Sequence, residues 1–162
     1  MIATSHDAWA ANTNVASNKG TTTRKGDHCL DINGLEALQG LRYRNYLMVV
    51  GLTCQGLYPQ ASYYSQYLRF SDNNSAMFDE YLKTIVQQWP VMGKNFTAEG
   101  LKNLETEIAN NVSKVAAVNS SFAFCTANKN KIAEAVALNT KQLRAGFVKG
   151  AEKDKKQIIP CR

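Results

Sequence analysis

The sequence predicts an all-α fold: a disulfide-stapled bundle of four or five helices preceded by a flexible polar arm. Three observations carry that prediction. Apolar residues recur at steps of three and four along most of the chain. Alternating strand patterns bounded by hairpin turns are absent. Four cysteines, Cys29, Cys54, Cys125 and Cys161, stand no closer than 25 residues apart. A length of 162 residues suits one domain with its own core. With 44% hydrophobic and 20% charged residues, the chain fits neither a disordered nor a membrane-embedded class. Its longest apolar run, Tyr46 to Leu52, is broken by Gly51 and falls far short of the ~20 residues a membrane span needs.

Residues 1–28 are small, polar and aperiodic, and read as the flexible arm; residues 29–162 form the helical domain with a basic C-terminal tail. From about Asn33 to Gly56 the pattern turns helical, and two stripes share the segment. One holds Leu35, Leu38, Leu41, Tyr46, Val49 and Leu52, the other Tyr43, Leu47, Val50, Cys54 and Leu57. A helix apolar on two sides belongs at the centre of a bundle. Gly40 and Gly51 within it would admit close neighbours. Tyr58-Pro59 ends the element.

A tyrosine-rich segment, Ser62 to Phe70, follows, and Ser71-Asp72-Asn73-Asn74 reads as a turn. Met77, Phe78, Tyr81, Leu82, Ile85 and Trp89 define an amphipathic helix stopped by Pro90. Thr97 then caps the longest expected helix. Its seam runs Leu101, Leu104, Ile108, Asn111, Val115, Val118, Phe122, Cys125, with Asn111 as a hydrogen-bonded core amide setting register. Ile132, Val136, Leu143 and Phe147 continue on a last helix.

An even, widely spread cysteine count reads as two disulfides in an oxidising compartment. Three pairings are open. Cys54 and Cys125 both lie on apolar helical stripes, which favours Cys54–Cys125 as a core staple and Cys29–Cys161 as a clasp between the terminal regions. Residues 1–10 lack an apolar signal core, so the expectation is a mature periplasmic or secreted chain with its signal peptide absent.

Catalytic constellations are scarce. His6 and His28 both fall in the polar arm, and neighbouring residues such as Ser5-His6-Asp7 cannot adopt triad geometry. No zinc spacing, phosphate loop or nucleophile elbow is present, so neither a metal nor a cofactor is expected. The closest acid sets, Asp79-Glu80 and Glu105 with Glu107, fit solvent faces. Residues 129–162 hold nine bases against three acids, the whole of the net +6. That tail, with Lys149, Lys153, Lys155 and Lys156, could touch an anionic surface; nucleic acid is not expected in a disulfide-forming compartment. Tyr58, Tyr63, Tyr64 and Tyr67 are the candidate partner-binding residues, because tyrosine suits interfaces.

Tyr46-Leu-Met-Val-Val-Gly-Leu-Thr-Cys54, then Tyr67, Thr106-Glu-Ile-Ala-Asn110-Asn-Val-Ser113 and Cys125, resemble small exported helical proteins of proteobacteria. The first stretch is similar to periplasmic immunity proteins that neutralise type VI secretion effectors. The resemblance spans roughly residues 43–125 and implies a periplasmic, disulfide-containing, non-enzymatic binding role. The expected function is therefore protein–protein contact in the cell envelope, either neutralising a toxin or assisting assembly. A small envelope hydrolase using Asp79, Glu80, Glu105 or Glu107 is one alternative. A self-assembling surface component is another.

Overall fold

Asp31 starts the first helix: its carboxylate accepts the Gly34 N–H at 2.8 Å, satisfying one of the donors a helix leaves open at its start. The computed structural model describes residues 30–88 and 98–154. Over these residues the order is α1 (Ile32–Leu57), a 3-10 turn (Pro59–Ala61), α2 (Tyr63–Asn73), α3 (Ser75–Gln88), α4 (Ala98–Val118), α5 (Ser121–Asn128), α6 (Asn130–Ala137) and α7 (Thr140–Asp154). No strand occurs among the described residues. The expected arm (residues 1–28), Cys29, Cys161, Lys155 and Lys156 lie outside them.

Helix α1 is the axis of the molecule. Both of its apolar stripes find partners, because α2, α3, α4, α5 and α7 all pack on it. Leu41, Leu47, Val50 and Cys54 are wholly buried, and Gln39 and Asn45 go in with them. The two glycines each face a close neighbour. A Cβ at Gly40 would overlap the Tyr81 ring of α3, and one at Gly51 would sit 3.3 Å from Tyr67 Cβ and 3.4 Å from Tyr64 Cα in α2. Around the middle of α1 five rings close on one another: Tyr43, Phe70, Phe78, Tyr81 and Phe147, with neighbouring centroids 5.6–6.4 Å apart. Edge and tilted contacts at this separation add about 0.5–1.5 kcal/mol per pair beyond area burial.

The staple expected between helical stripes is present. Cys54 and Cys125 are disulfide-bonded with Cα atoms 5.2 Å apart, and both are fully buried.

The bundle contains more and shorter helices than the four or five expected. The single helix expected from Thr97 to Cys125 is divided at Asn119-Ser120, where Ser120 adopts φ 64° and its Oγ accepts the Ala123 N–H at 3.3 Å to open α5. Asn and Ser side chains compete with the helix for backbone partners, and Asn119 Nδ2 bonds the Val115 carbonyl at 2.9 Å. The straight seam fails with it. Ile108 and Cys125 are buried, but Asn111 is exposed, and Val118 and Phe122 are 85% and 62% exposed. A strict three-four alternation drifts around a straight helix of 3.6 residues per turn. The face that α4 turns inward therefore follows Ile108, Ala109, Val112 and Ala116 instead. Asn111 is a surface residue, not a core amide.

The last expected helix is likewise two, α6 and α7. Leu138 is extended, and Asn139 and Gln142 cap α7 reciprocally, each side-chain oxygen accepting the other's backbone N–H at 2.9 Å. The expected turn at residues 71–74 is a tight corner in which Asn74 is buried. Its Nδ2 donates to the Phe70 carbonyl at 2.9 Å, and its Oδ1 accepts the Thr140 hydroxyl at 3.0 Å, tying the corner to α7.

Candidate partner-binding face

The tyrosines gather at the end of α1 because Pro59 stops that helix and Ser62, at φ 52°, turns the chain back along it. Gln55 secures the corner: its Nε2 donates to the Pro59 carbonyl at 2.5 Å and its Oε1 accepts the Tyr64 N–H at 3.3 Å. Tyr58 and Tyr63 meet edge to face at 6.5 Å. Tyr64 and Tyr67 stack at 5.7 Å. Tyr58, Tyr63 and Tyr64 are half-buried and keep part of each side chain at the surface. Tyr67 is 5% exposed and belongs to the core, where α2 crosses Gly51. Its expected role as a contact residue is thereby corrected: the close approach that Gly51 allows leaves its ring no path to a partner.

Helix α5 extends this face. The Lys129 ammonium lies 5.9 Å from the centre of the Tyr58 ring, over its face. Phe122 is seven residues, two helical turns, before Lys129, the residue that caps the end of α5. Val118 precedes Phe122 across the α4–α5 break, and Lys114 is one turn before Val118 on α4. The disulfide holds the two parts together, with Leu57 three residues beyond Cys54 and Phe122 three before Cys125. Leu57 is 40% exposed. Tyr46 adds a second tie, its hydroxyl donating to Asn128 Oδ1 at 2.5 Å.

The two stretches that build this end contain no Asp or Glu. From Asn45 to Ser71 the single charged residue is Arg69, and from Ile108 to Ala133 the charged residues are Lys114, Lys129 and Lys131. All thirteen Asp and Glu residues fall elsewhere in the chain. Glu134 of α6 adjoins this end and, after burial and Tyr43, adds to the rise of the Tyr46 phenol. Lys131 is engaged by Glu134 at 3.0 Å, just beyond the acid-free stretch. Between the aromatic residues the surface is mainly amide, hydroxyl and small apolar groups, among them Asn110, Asn111, Asn119 and Ser121.

The acids serve the opposite end of α1. Arg144 of α7 contacts both Glu80 of α3 and Glu36 of α1, the latter at 3.6 Å, and its guanidinium stacks 5.3 Å from the centre of the Tyr81 ring. The Tyr81 hydroxyl donates to Glu36 Oε1 at 2.6 Å. Burial, followed by this bond to a carboxylate, raises the Tyr81 phenol well above its usual value. These groups, with Asn33, Thr84, Gln87 and Gln88, line an open polar hollow of about 340 Å³. Of the four acids considered for catalysis, Glu80 is held by Arg144 and Glu105 pairs with Arg44 at 3.6 Å, while Asp79 and Glu107 are exposed. The structure does not gather these four into one site. Among the described residues no group of His, Cys, Asp and Glu could hold a metal ion, and no helix is long and apolar enough to cross a membrane.

Of the basic tail, Lys149 and Lys153 are exposed on α7. That helix is anchored beside them, because Asp154 accepts from Gln39 Nε2 at 2.5 Å and pairs with Arg42 at 3.1 Å. In comparisons with protein-family models, curated proteins and solved structures, nothing matches this chain.

Proposed function

We propose that this chain is a non-enzymatic binding module of the periplasm or of a secreted setting, acting by protein–protein contact as a toxin-neutralising or envelope-assembly accessory. The aromatic face at the stapled end carries the reading. Half-exposed tyrosines, a protruding Phe122 and surrounding amide and hydroxyl groups are what protein-recognition surfaces use, since rigid aromatic anchors cost little side-chain entropy to fix. A buried disulfide supports an oxidising compartment. The test is affinity capture from envelope extract with the wild-type chain and with a Tyr58→Ala/Tyr63→Ala/Tyr64→Ala variant. Loss of the captured protein from the variant is expected. Identical partners from both would refute the tyrosine assignment.

The polar hollow favours a second reading, a small envelope hydrolase, because it brings Glu36 and Glu80 to one arginine. Each carboxylate spends an oxygen on Arg144, which weighs against a role in proton transfer. Turnover of peptidoglycan that is lost in Glu80→Gln would favour this reading over the first.

A further inference from the structure

We infer that the stapled end docks an acidic protein surface, with Phe122 as the apolar anchor and Lys114 and Lys129 as the flanking charges. This rests on the binding-module reading and names the chemistry of its partner. Two observations carry it. The first is proximity: Lys129 lies over the Tyr58 ring, the buried disulfide ties α5 to the end of α1, and exposed Val118 and Phe122 flank the α4–α5 break with Lys114 one turn before Val118. The second is charge. Residues 45–71 and 108–133 supply Lys114 and Lys129 around apolar groups and no Asp or Glu, which complements a surface that presents carboxylates around an apolar recess.

The same charge argument selects among occupants. A second copy docked through this end would set Lys114 and Lys129 against their own counterparts with no carboxylate between them, a like-charge juxtaposition that opposes association. A lipid surface would be met by Leu57, Val118 and Phe122 and by two ammonium groups, short of the roughly four to eight bases that anionic headgroups call for. An acidic protein uses every element of the face: an aromatic anchor, amide and hydroxyl donors, and flanking ammonium groups.

The experiment places a benzoylphenylalanine photo-crosslinker at position 122 of the full chain, and in a separate protein at exposed Ala145 on α7, and irradiates cells that make the protein in its native compartment. The expected result is a protein adduct from position 122 and none from 145, its crosslinked peptide rich in Asp and Glu. The yield should fall several-fold as salt rises from about 50 to about 300 mM in lysates. Lys114→Glu/Lys129→Glu should lower it about tenfold while the far-ultraviolet circular dichroism and melting of the variant match the wild type. An adduct of two copies, a lipid adduct, an acid-poor peptide, a salt-independent yield or no adduct at 122 would each overturn the inference. If wild-type affinity capture still recovers a partner that the double lysine variant binds equally, the docking chemistry fails while the binding-module reading stands. If neither method recovers a partner, both fail.

Discussion

Opening the Cys54–Cys125 staple should remove a large share of the stability of the fold. The bond closes a loop of 71 residues, and the chain-entropy treatment assigns about 4 kcal/mol to such a crosslink at 25 °C. A domain of this size has about 5–15 kcal/mol in total. The Cys54→Ala/Cys125→Ala variant, with the other cysteines unchanged, should therefore unfold in urea far earlier than the oxidised wild type. With a slope of about 2 kcal/mol per molar, the midpoint should fall by about 2 M. The slope itself should rise, because the unfolded chain expands further without the crosslink. Both sulfurs are fully buried, so a reductant should reach them only when the protein opens. Alkylation after mild reduction should then follow the urea transition. A midpoint within about 0.5 M of wild type, or rapid labelling of Cys54 in native protein, would refute a core staple.

Three further outcomes follow from single contacts. Gly40→Ala should destabilise by about 1–3 kcal/mol despite alanine's better helix propensity, because Tyr81 is held by Glu36 and Arg144 and cannot retreat. Gly146→Ala, which meets no atom within 4 Å, should stabilise by up to about 1 kcal/mol; chemical denaturation of the pair checks both signs. Asn74→Ala should cost about 1–3 kcal/mol, since it strands the Phe70 carbonyl and the Thr140 hydroxyl at a buried corner; an unchanged melting temperature would contradict that. At alkaline pH, burial and then Glu134 push the Tyr43 phenol up to about 12, and burial also raises Tyr46 and Tyr81. The native state holds these protons more tightly than the unfolded chain, so their contribution is intact below pH ~10 and lost as pH climbs towards 12. Urea midpoints should decline over that window, and phenolate absorbance should lag behind that of unfolded protein.

Much of the fold was legible because it depends on spacing alone. The double stripe of α1 announced a central helix, Gly40 and Gly51 announced close approaches by α3 and α2, and the stripe positions of Cys54 and Cys125 announced their bond. What misled was the three-four alternation from Leu101 to Cys125. It continues across Asn119-Ser120 as though that pair were helical, and the competition between those side chains and the backbone leaves no mark on apolar spacing. The Asn139–Gln142 capping pair was a written signal at the second missed break, an Asn followed three residues later by a Gln.

The candidate site was harder to read for a different reason. Charge summed along a sequence divides the chain into a neutral body and a basic tail, whereas folding sorts charge by neighbourhood. Arg144, counted with the tail, returns to Glu36 and Glu80, and Lys131 is taken by Glu134. Meanwhile two stretches that are distant in sequence and separately unremarkable, residues 45–71 and 108–133, are joined by Cys54 and Cys125, and neither carries an Asp or Glu. The exposure of Phe122 belongs to the same step. A helix continued through Ser120 would have carried it on the expected seam; the break that turns Phe124 and Cys125 inward leaves Phe122 in solvent. The staple and the recognition face thus share one cause, the reorientation of α5. Any change that straightens the α4–α5 joint should strain the disulfide and withdraw the aromatic anchor together.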